Sequence, residues 1–467
     1  MGLSRLVIGL ILLVDNGLRA QTFYPFAPDI AQGTYTQPAL IPEHPYRLSI
    51  GLPVLAHVAA AYYNEAFAIN DLLREEGEQF LIDPGQILPD LNRQNLLSTR
   101  ASLDLLHVRY RLRKNEWMGL SIRERLESHV LFSNELIQFL WEGNGPFIRG
   151  PGINTVKLRN TGFSAQHFRE YALNYSRRLN GHWDVGITAG LLFGKSTAQS
   201  SRSASRFTFN RDSAFALNLE TEAELRVSPS SEDRDFWKDD AYWRNRQNVG
   251  FSVNLGAAYH LNDRWQFSAA VNDLGFIRWN QNPETIGLGK TDFTGIALER
   301  YFDALDAGSL EADQVIDTLL EDYELQRDST AFTTSLVSRT WVSGQYQATE
   351  KWRFGGGIGA TVFRGLYPQG FLNARYQLLP KLALHVSYLA RGNNYNNTGL
   401  GLEWTFFPLQ VYAQTNNVLG AMQPFDAQTI QASAGINLML GRPPRPDADQ
   451  DGIPDKYDAC PHRSGPE

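Results

Sequence analysis

Leu261-Asn262-Asp263-Arg264-Trp265 lies between two stretches of alternating apolar and polar residues, and the same arrangement keeps returning along the chain. Leu112-Arg113-Lys114-Asn115-Glu116-Trp117, Leu179-Asn180-Gly181-His182-Trp183 and Ala348-Thr349-Glu350-Lys351-Trp352 are of the same kind. Leu379-Pro380-Lys381 and Phe407-Pro408-Leu409 are terser versions. Long strands joined by tight turns on one side and long loops on the other predict a transmembrane antiparallel β-barrel. Four of the turns run straight into a Trp. An interfacial aromatic girdle calls for such a residue, because the indole ring is apolar while its N–H seeks water.

The period-2 alternation can be followed strand by strand. Met118, Leu120, Ile122, Leu126 and Val130 share one face, opposite Ser121, Arg123, Arg125, Glu127 and His129, with Glu124 on the wrong side. Val185, Ile187, Ala189, Leu191 and Phe193 oppose Asp184, Gly186, Thr188 and Gly190. Phe251, Val253, Leu255, Ala257 and Tyr259 oppose Ser252, Asn254, Gly256 and His260. Leu400, Leu402, Trp404 and Phe406 oppose Gly399, Gly401, Glu403 and Thr405, and Ile430 to Leu440 alternates in the same way against Gln431, Ser433, Gly435 and Asn437. Apolar faces of this length, backed by Gly, Arg and amides, fit lipid outside and water or a plug inside.

Six short turns each join two strands, which gives twelve. A first strand near Tyr46–Tyr62 and a last near Thr429–Leu440 make about fourteen. Residues 203–227 also read as strand, either an outer hairpin or a rise to sixteen. An even count puts both ends of the barrel in the periplasm. The long connections then lie outside the cell. Phe67 to Phe80 reads as helical, Ser133 to Trp141 as a short helix with Ser133 as N-cap, and residues 299–328 as helical among many acids. Such insertions cap or gate the pore, grip a partner, or only shield the rim.

A net charge of -7 over 467 residues, with mean hydropathy -0.32, is far too polar for a helical membrane protein. A barrel hides its membrane signal because lumen residues dilute it. Aromatic content of 12% and 39 Gly suit such a barrel, though a large soluble β protein would fit almost as well. Mild acidity with interspersed charges argues against a nucleic-acid surface. Residues 1–20 read as a signal peptide, with Arg5, the apolar run Leu6 to Val14 and Ala20 before Gln21. The one cysteine, Cys460, lies outside the barrel, so residues 21–440 carry no disulfide.

After Leu440 comes a stiff Pro-rich linker, residues 441–446, and then Asp447-Ala448-Asp449-Gln450-Asp451-Gly452-Ile453-Pro454-Asp455 with Asp458 following. Carboxylates at every second position aim hard oxygen donors into one loop, and Gly452 allows the sharp turn, which suits Ca2+. The opening matches an EF-hand loop, but Asp458 stands where that loop carries Glu. Residues 447–461 resemble a thrombospondin type 3 repeat. The resemblance implies Ca2+ ligation by Asp447, Asp449, Asp451 and Asp458, with Asp455 as a further contributor. Such repeats come in series and lead, in similar exported proteins, to an OmpA-like peptidoglycan-binding domain, so an extension beyond Glu467 is expected and residues 447–467 read as a truncated repeat.

The barrel itself resembles a family of outer-membrane proteins from bacteria with type IX secretion, similar in architecture to PorP/SprF-type proteins and more distantly to fatty-acid-channel barrels. The strings that carry this are Gln37-Pro38-Ala39, Ile50-Gly51-Leu52-Pro53, Glu135-Leu136-Ile137 leading to Glu142-Gly143-Asn144, Asn248 to Ala257 and Asn272 to Trp279. The resemblance implies fold and outer-membrane location, and little about activity.

Two clusters invite chemistry. His385 and Ser387 share a strand face, with Asn394, Asn396 and Asn397 following, a spacing used by an outer-membrane phospholipase. Leu384, Val386 and Tyr388 take the lipid positions, however, so the pair faces the lumen away from lipid substrate. No catalytic residue is assigned, and the chain is not read as an enzyme. His107, Arg109, Arg111 and Arg113 lie on the lumen face of one strand, with Arg123 and Arg125 on its neighbour. They form an anion-attracting constriction, pair with lumen acids such as Glu127 or Glu403, or hold a plug. The leading expectation is a structural or accessory envelope component, linked to secretion or motility or tethered to peptidoglycan by its periplasmic Ca2+-binding tail. Its partners would be outer-membrane lipid and peptidoglycan or a periplasmic or secretion-machinery protein. The alternative is an outer-membrane channel or transporter for a small or hydrophobic solute.

Overall fold

Leu48 pairs with Leu440 and Tyr62 with Ile430, and these pairings close the wall on itself. The computed structural model describes residues 23–76, 79–143, 145–147, 153–200, 203–210, 216–221, 224–230, 236–288, 291–293, 325–392 and 394–441. Among the described residues the wall has fourteen antiparallel strands. They are β1 (Leu48–Gly51 and Val58–Asn64), β2 (Asn95–Arg113), β3 (Glu116–Phe132), β4 (Ile153–Leu179), β5 (Trp183–Ser200), β6 (Asn248–His260) and β7 (Trp265–Trp279). The second half holds β8 (Phe332–Ser335 and Ser338–Gln347), β9 (Trp352–Val362), β10 (Leu366–Leu379), β11 (Leu382–Arg391), β12 (Asn394–Phe406), β13 (Leu409–Thr415) and β14 (Thr429–Leu440). Each pairs with its neighbours in chain order, as a meander must. The count of fourteen holds. Strands Ser203–Asn210 and Ala216–Thr221 form a hairpin beside the far end of β4 and do not enter the wall.

Alternation decides the faces. In β5 Ile187, Ala189 and Leu191 are exposed to the membrane side while Thr188, Gly190, Leu192 and Gly194 are turned in. The girdle is built from cross-strand pairs. Trp183 lies opposite Tyr259, Trp265 opposite Tyr346 and Trp352 opposite Tyr376, with ring centroids 4.8, 4.7 and 4.6 Å apart. Trp117 departs from this expectation. By parity with exposed Met118 it points inward, where it is 1% exposed. Glu124, the misfit of the alternation, does face outward. Arg169 stands opposite it and His167 Nε2 lies 3.3 Å away. Tyr242 covers the group, its hydroxyl 2.5 Å from His167 Nδ1. An unpaired charge on this face would be costly, so pairing and cover are what make Glu124 tolerable.

The loops correct the sequence in one place and agree in another. Helix α1 (Asn134–Glu142) is capped by Ser133, whose hydroxyl accepts from Leu136 N–H at 3.2 Å. The helix expected over Phe67 to Phe80 is absent. A 3-10 turn at Ile69–Leu72 leads into a hairpin of Leu73–Glu76 and Gln79–Ile82. Asp83 draws the chain back, its N–H donating to the Leu72 carbonyl at 2.7 Å and its carboxylate pairing with Arg74 at 3.0 Å. Of the helix expected over 299–328, only residues 325–328 are described, and they form a strand against Glu284–Leu288. The signal-like residues 1–20, linker residues 442–446 and Asp447, Asp449, Asp451, Asp455 and Asp458 lie outside the described residues.

Candidate functional site

Residues 23–46 lack any strand or helix period, and they fill the lumen. Two 3-10 turns, Tyr24–Phe26 and Ala31–Tyr35, fold the segment into a plug at the short-turn end. Phe23, Tyr24, Phe26, Ile30, Gln32 and Gln37 are all buried there. The wall grips this plug mainly through uncharged hydrogen bonds. Tyr24 Oη lies 2.8 Å from Ser433 Oγ. Gln32 Nε2 donates to the Ala56 carbonyl at 3.1 Å and to Asn437 Oδ1 at 2.7 Å. Asn272 Nδ2 and Trp341 Nε1 both donate to the Thr36 carbonyl, at 2.9 and 3.1 Å, and Asn174 Nδ2 donates to that of Pro38 at 3.1 Å. Peptide groups buried this deeply must find partners, and the wall's amides supply them.

The lumen glycines explain how the plug fits. A methyl group on Gly186 would overlap the Pro38 carbonyl, one on Gly256 the Gln37 side chain, one on Gly355 the Phe26 ring and one on Gly401 the Phe23 ring. β1 also gives way, breaking its pairing between Gly51 and Val58 so that the Ala56 carbonyl turns inward to Gln32 and to Tyr412 Oη, 2.9 Å away. Val54 takes a left-handed φ of 68° in this break.

The basic cluster divides by partner. Arg109 donates to the Leu40 carbonyl and, at 3.1 Å, to Ser176 Oγ, while Arg111 donates to the His44 carbonyl at 2.8 Å. These two hold the plug. Arg113 lies at the exposed turn, 3.7 Å from Glu116. Arg123 and Arg125 turn to acids. Arg123 Nε lies 3.1 Å from Glu170, and Arg125 lies 2.6 Å from both Glu127 and Asp273. Arg339 of β8 reaches Glu127 at 2.8 Å and also contacts Asp273. Three guanidiniums thus meet three carboxylates, and the network reaches across the lumen past β5 and β6. A bulge on β7, where Asn254 faces both Asn272 and Asp273, lets those two neighbours point inward together. Arg123 and Arg125 are thus engaged by acids, which argues against their forming an anion-attracting constriction. Farther along, the lumen is filled by two apolar clusters, Phe168, Leu192, Ile277, Trp279, Phe332 and Leu336, and Tyr63, Leu96, Leu131, Val337, Phe363 and Tyr367.

Burial perturbs the plug's own titrating groups. The Asp29 carboxyl is pushed up to about 7 by burial and by neighbouring Glu403 and Glu43. His44 is pushed down to about 3 by burial and by Arg109 and Arg111. Tyr35 is raised well above the usual phenol range by burial and by Asp104, which accepts its hydroxyl at 2.7 Å.

His385 and Ser387 both face the lumen. The ring of His385 packs on Phe23 of the plug at 4.2 Å, with Nδ1 turned to Asn373 at 3.4 Å and Nε2 to Glu403 at 3.8 Å. Neither nitrogen is directed at Ser387. Glu403 also lies 3.6 Å from Arg375. Residues 23–46 carry no strand or helix period that would mark the plug in the sequence. Its trace was the glycines opposite the apolar faces, which spare room that nothing in the strands themselves uses.

A family model described as a family of unknown function, DUF5723, matches residues 38–416. No curated protein matches the sequence. Among solved structures, a FadL homologue of Pseudomonas aeruginosa is 10% identical, covering 90% of this chain and 97% of that one at a TM-score of 0.40. The Pseudomonas putida toluene transporter TodX is 9% identical, covering 86% and 89% at 0.36. The Ralstonia pickettii toluene transporter TbuX is 9% identical, covering 88% and 95% at 0.34. Likenesses at these TM-scores carry no argument about solute or mechanism, and the fold stands on the strand pairing.

Proposed function

Since the chain belongs to the DUF5723 family of unknown function, its activity has to be read from its own geometry, and we propose that it is a gated outer-membrane channel for small apolar solutes, held shut by residues 23–46. The plug is the observation that carries this reading. A barrel that served only as an anchor has no need to line its lumen with Gly186, Gly256, Gly355 and Gly401 and then seat a separate segment there. Most of its hydrogen bonds to the wall join neutral groups and are each worth only about 1 kcal/mol net, with those from Arg109 and Arg111 somewhat stronger, so such a segment can leave and return. Apolar clusters in the lumen favour an apolar solute over an ion. Leu419, Met422 and Phe425, exposed on the loop between β13 and β14, offer such a solute a first contact.

The test locks the plug. Cysteines at Gln32 and Asn437, in a Cys460→Ser background, are joined by a short bifunctional crosslinker. Entry of N-phenyl-1-naphthylamine through the reconstituted barrel should then stop, and the uncrosslinked double variant should stay active. Equal entry with and without the crosslink would count against a plug-gated channel.

A second reading concerns the tail. β14 ends beside the start of β1, the Arg47 N–H donating to the Leu440 carbonyl at 3.2 Å, so the chain leaves the wall at the short-turn end. In an outer-membrane barrel that end faces the periplasm. We propose that residues 447–467 bind Ca2+ there through Asp447, Asp449, Asp451, Asp455 and Asp458 and fasten the channel to peptidoglycan or a periplasmic partner.

A further inference from the structure

Two of the lumen guanidiniums have no acid. Arg109 is 1% exposed, and among the described residues no carboxylate lies within ion-pair distance of Arg109 or Arg111. Both spend one nitrogen on a plug carbonyl, a neutral acceptor. Arg109 Nε and Nη1 and Arg111 Nε have no hydrogen-bond partner. Around them other buried polar atoms are in the same position: both ring nitrogens of His44 and the hydroxyl of Ser49, which sits directly across from Arg109 on β1. Three of these side chains converge on one ring. The Arg111 and Arg109 guanidiniums lie 4.7 and 5.5 Å from the centre of Trp117, and the His44 ring lies 5.7 Å from it. Leaving a buried cation without a counter-charge is among the costliest arrangements a protein can hold.

We propose that Arg109, Arg111, His44 and Ser49 form a binding site for a compact oxyanion of the phosphate class. The donor set fits that chemistry. Two guanidiniums with free N–H groups present forks, and forks match phosphate oxygens better than point charges do. A tetrahedral anion has oxygens enough for both forks, the serine hydroxyl and an imidazole N–H. Trp117 packs beside both guanidiniums, which holds them in place. The cluster faces the lumen beside plug residues 40–44, so a lipid headgroup on the outer wall does not reach it, which favours a free anion as the occupant. The site is independent of the transport reading, because it would be present in a barrel that conducts nothing.

The experiment follows thermal unfolding of the detergent-solubilised full chain at pH 7.5, with inorganic phosphate titrated against sodium chloride of equal ionic strength. The expected result is a saturable rise in Tm with phosphate, which Arg109→Gln abolishes. Arg111→Lys, which keeps the charge and loses the fork, should weaken phosphate about tenfold. A Tm that responds to phosphate no more than to chloride would overturn the site, as would a shift that persists unchanged in Arg109→Gln. Should Arg109→Gln not fold, equilibrium dialysis of labelled phosphate on the wild type and Arg111→Lys decides. About one phosphate per chain with weaker retention by the variant supports the site, and none, or equal retention, removes it.

Discussion

The residues that matter most for the lumen are those with the least side chain. Gly355 admits the Phe26 ring and Gly401 the Phe23 ring, where any larger residue would collide. Gly355→Leu should therefore expel the plug and leave the wall intact. Overpacking of this kind costs about 1–3 kcal/mol, enough to weaken seating that rests mainly on neutral hydrogen bonds. The expected outcome is new protease cleavage within residues 23–46 and a rise in bilayer conductance, with the heat-modifiable gel mobility of the barrel retained. An unchanged cleavage pattern would argue that the plug's position does not depend on these glycines. At this scale the sequence was half legible. Lumen position follows from parity, and so does the inward turn of Trp117, but parity does not tell which of several uses an inward Arg will have. Arg109 and Arg125 both point inward, and only the partner set of each separates plug-holding from pairing with acids.

Elements were legible wherever a period marked them. The strands show because lipid on one side and lumen on the other impose an unbroken alternation. Residues 23–46 carry no such imprint, since a segment buried on all sides has no polar face to alternate with. The Phe67 to Phe80 stretch failed for a different reason: Ile69, Leu72, Leu73 and Phe80 fall at helical spacing, while Asp83, three residues beyond that window, pulls the chain into a hairpin. The tail is an element that the sequence marks strongly, and it calls for its own measurement. With Ca2+ present, residues beyond Leu440 should resist protease. With chelator they should be cut, and the barrel should survive in both cases. Equal cutting with and without Ca2+ would remove the metal assignment.

On the scale of the molecule, the ion network acts as a strut. Arg125 joins β3 to β7, and Arg339 joins β8 back to β3. Sequence patterns cannot announce such a link, because its members lie as far apart as positions 127 and 339 and each alone looks like an ordinary polar lumen residue. Arg339→Ala would take from Glu127 and Asp273 the guanidinium that they share besides Arg125. The expected loss is about 3 kcal/mol, the low end for breaking a buried pair. A lowered midpoint of urea-induced unfolding in detergent would show it, and an unchanged midpoint would mean that the strut carries no stability.

Gln32 touches both strands at the seam of the barrel, reaching Ala56 within the break of β1 and Asn437 on β14. Its binding place is thus shared between the beginning and the end of the wall. During biogenesis that place comes into being only once the last strand has met the first. A chain inserting strand by strand must keep its opening segment waiting until the ring is complete, so the step that finishes the wall is also the step that seals the membrane against leakage.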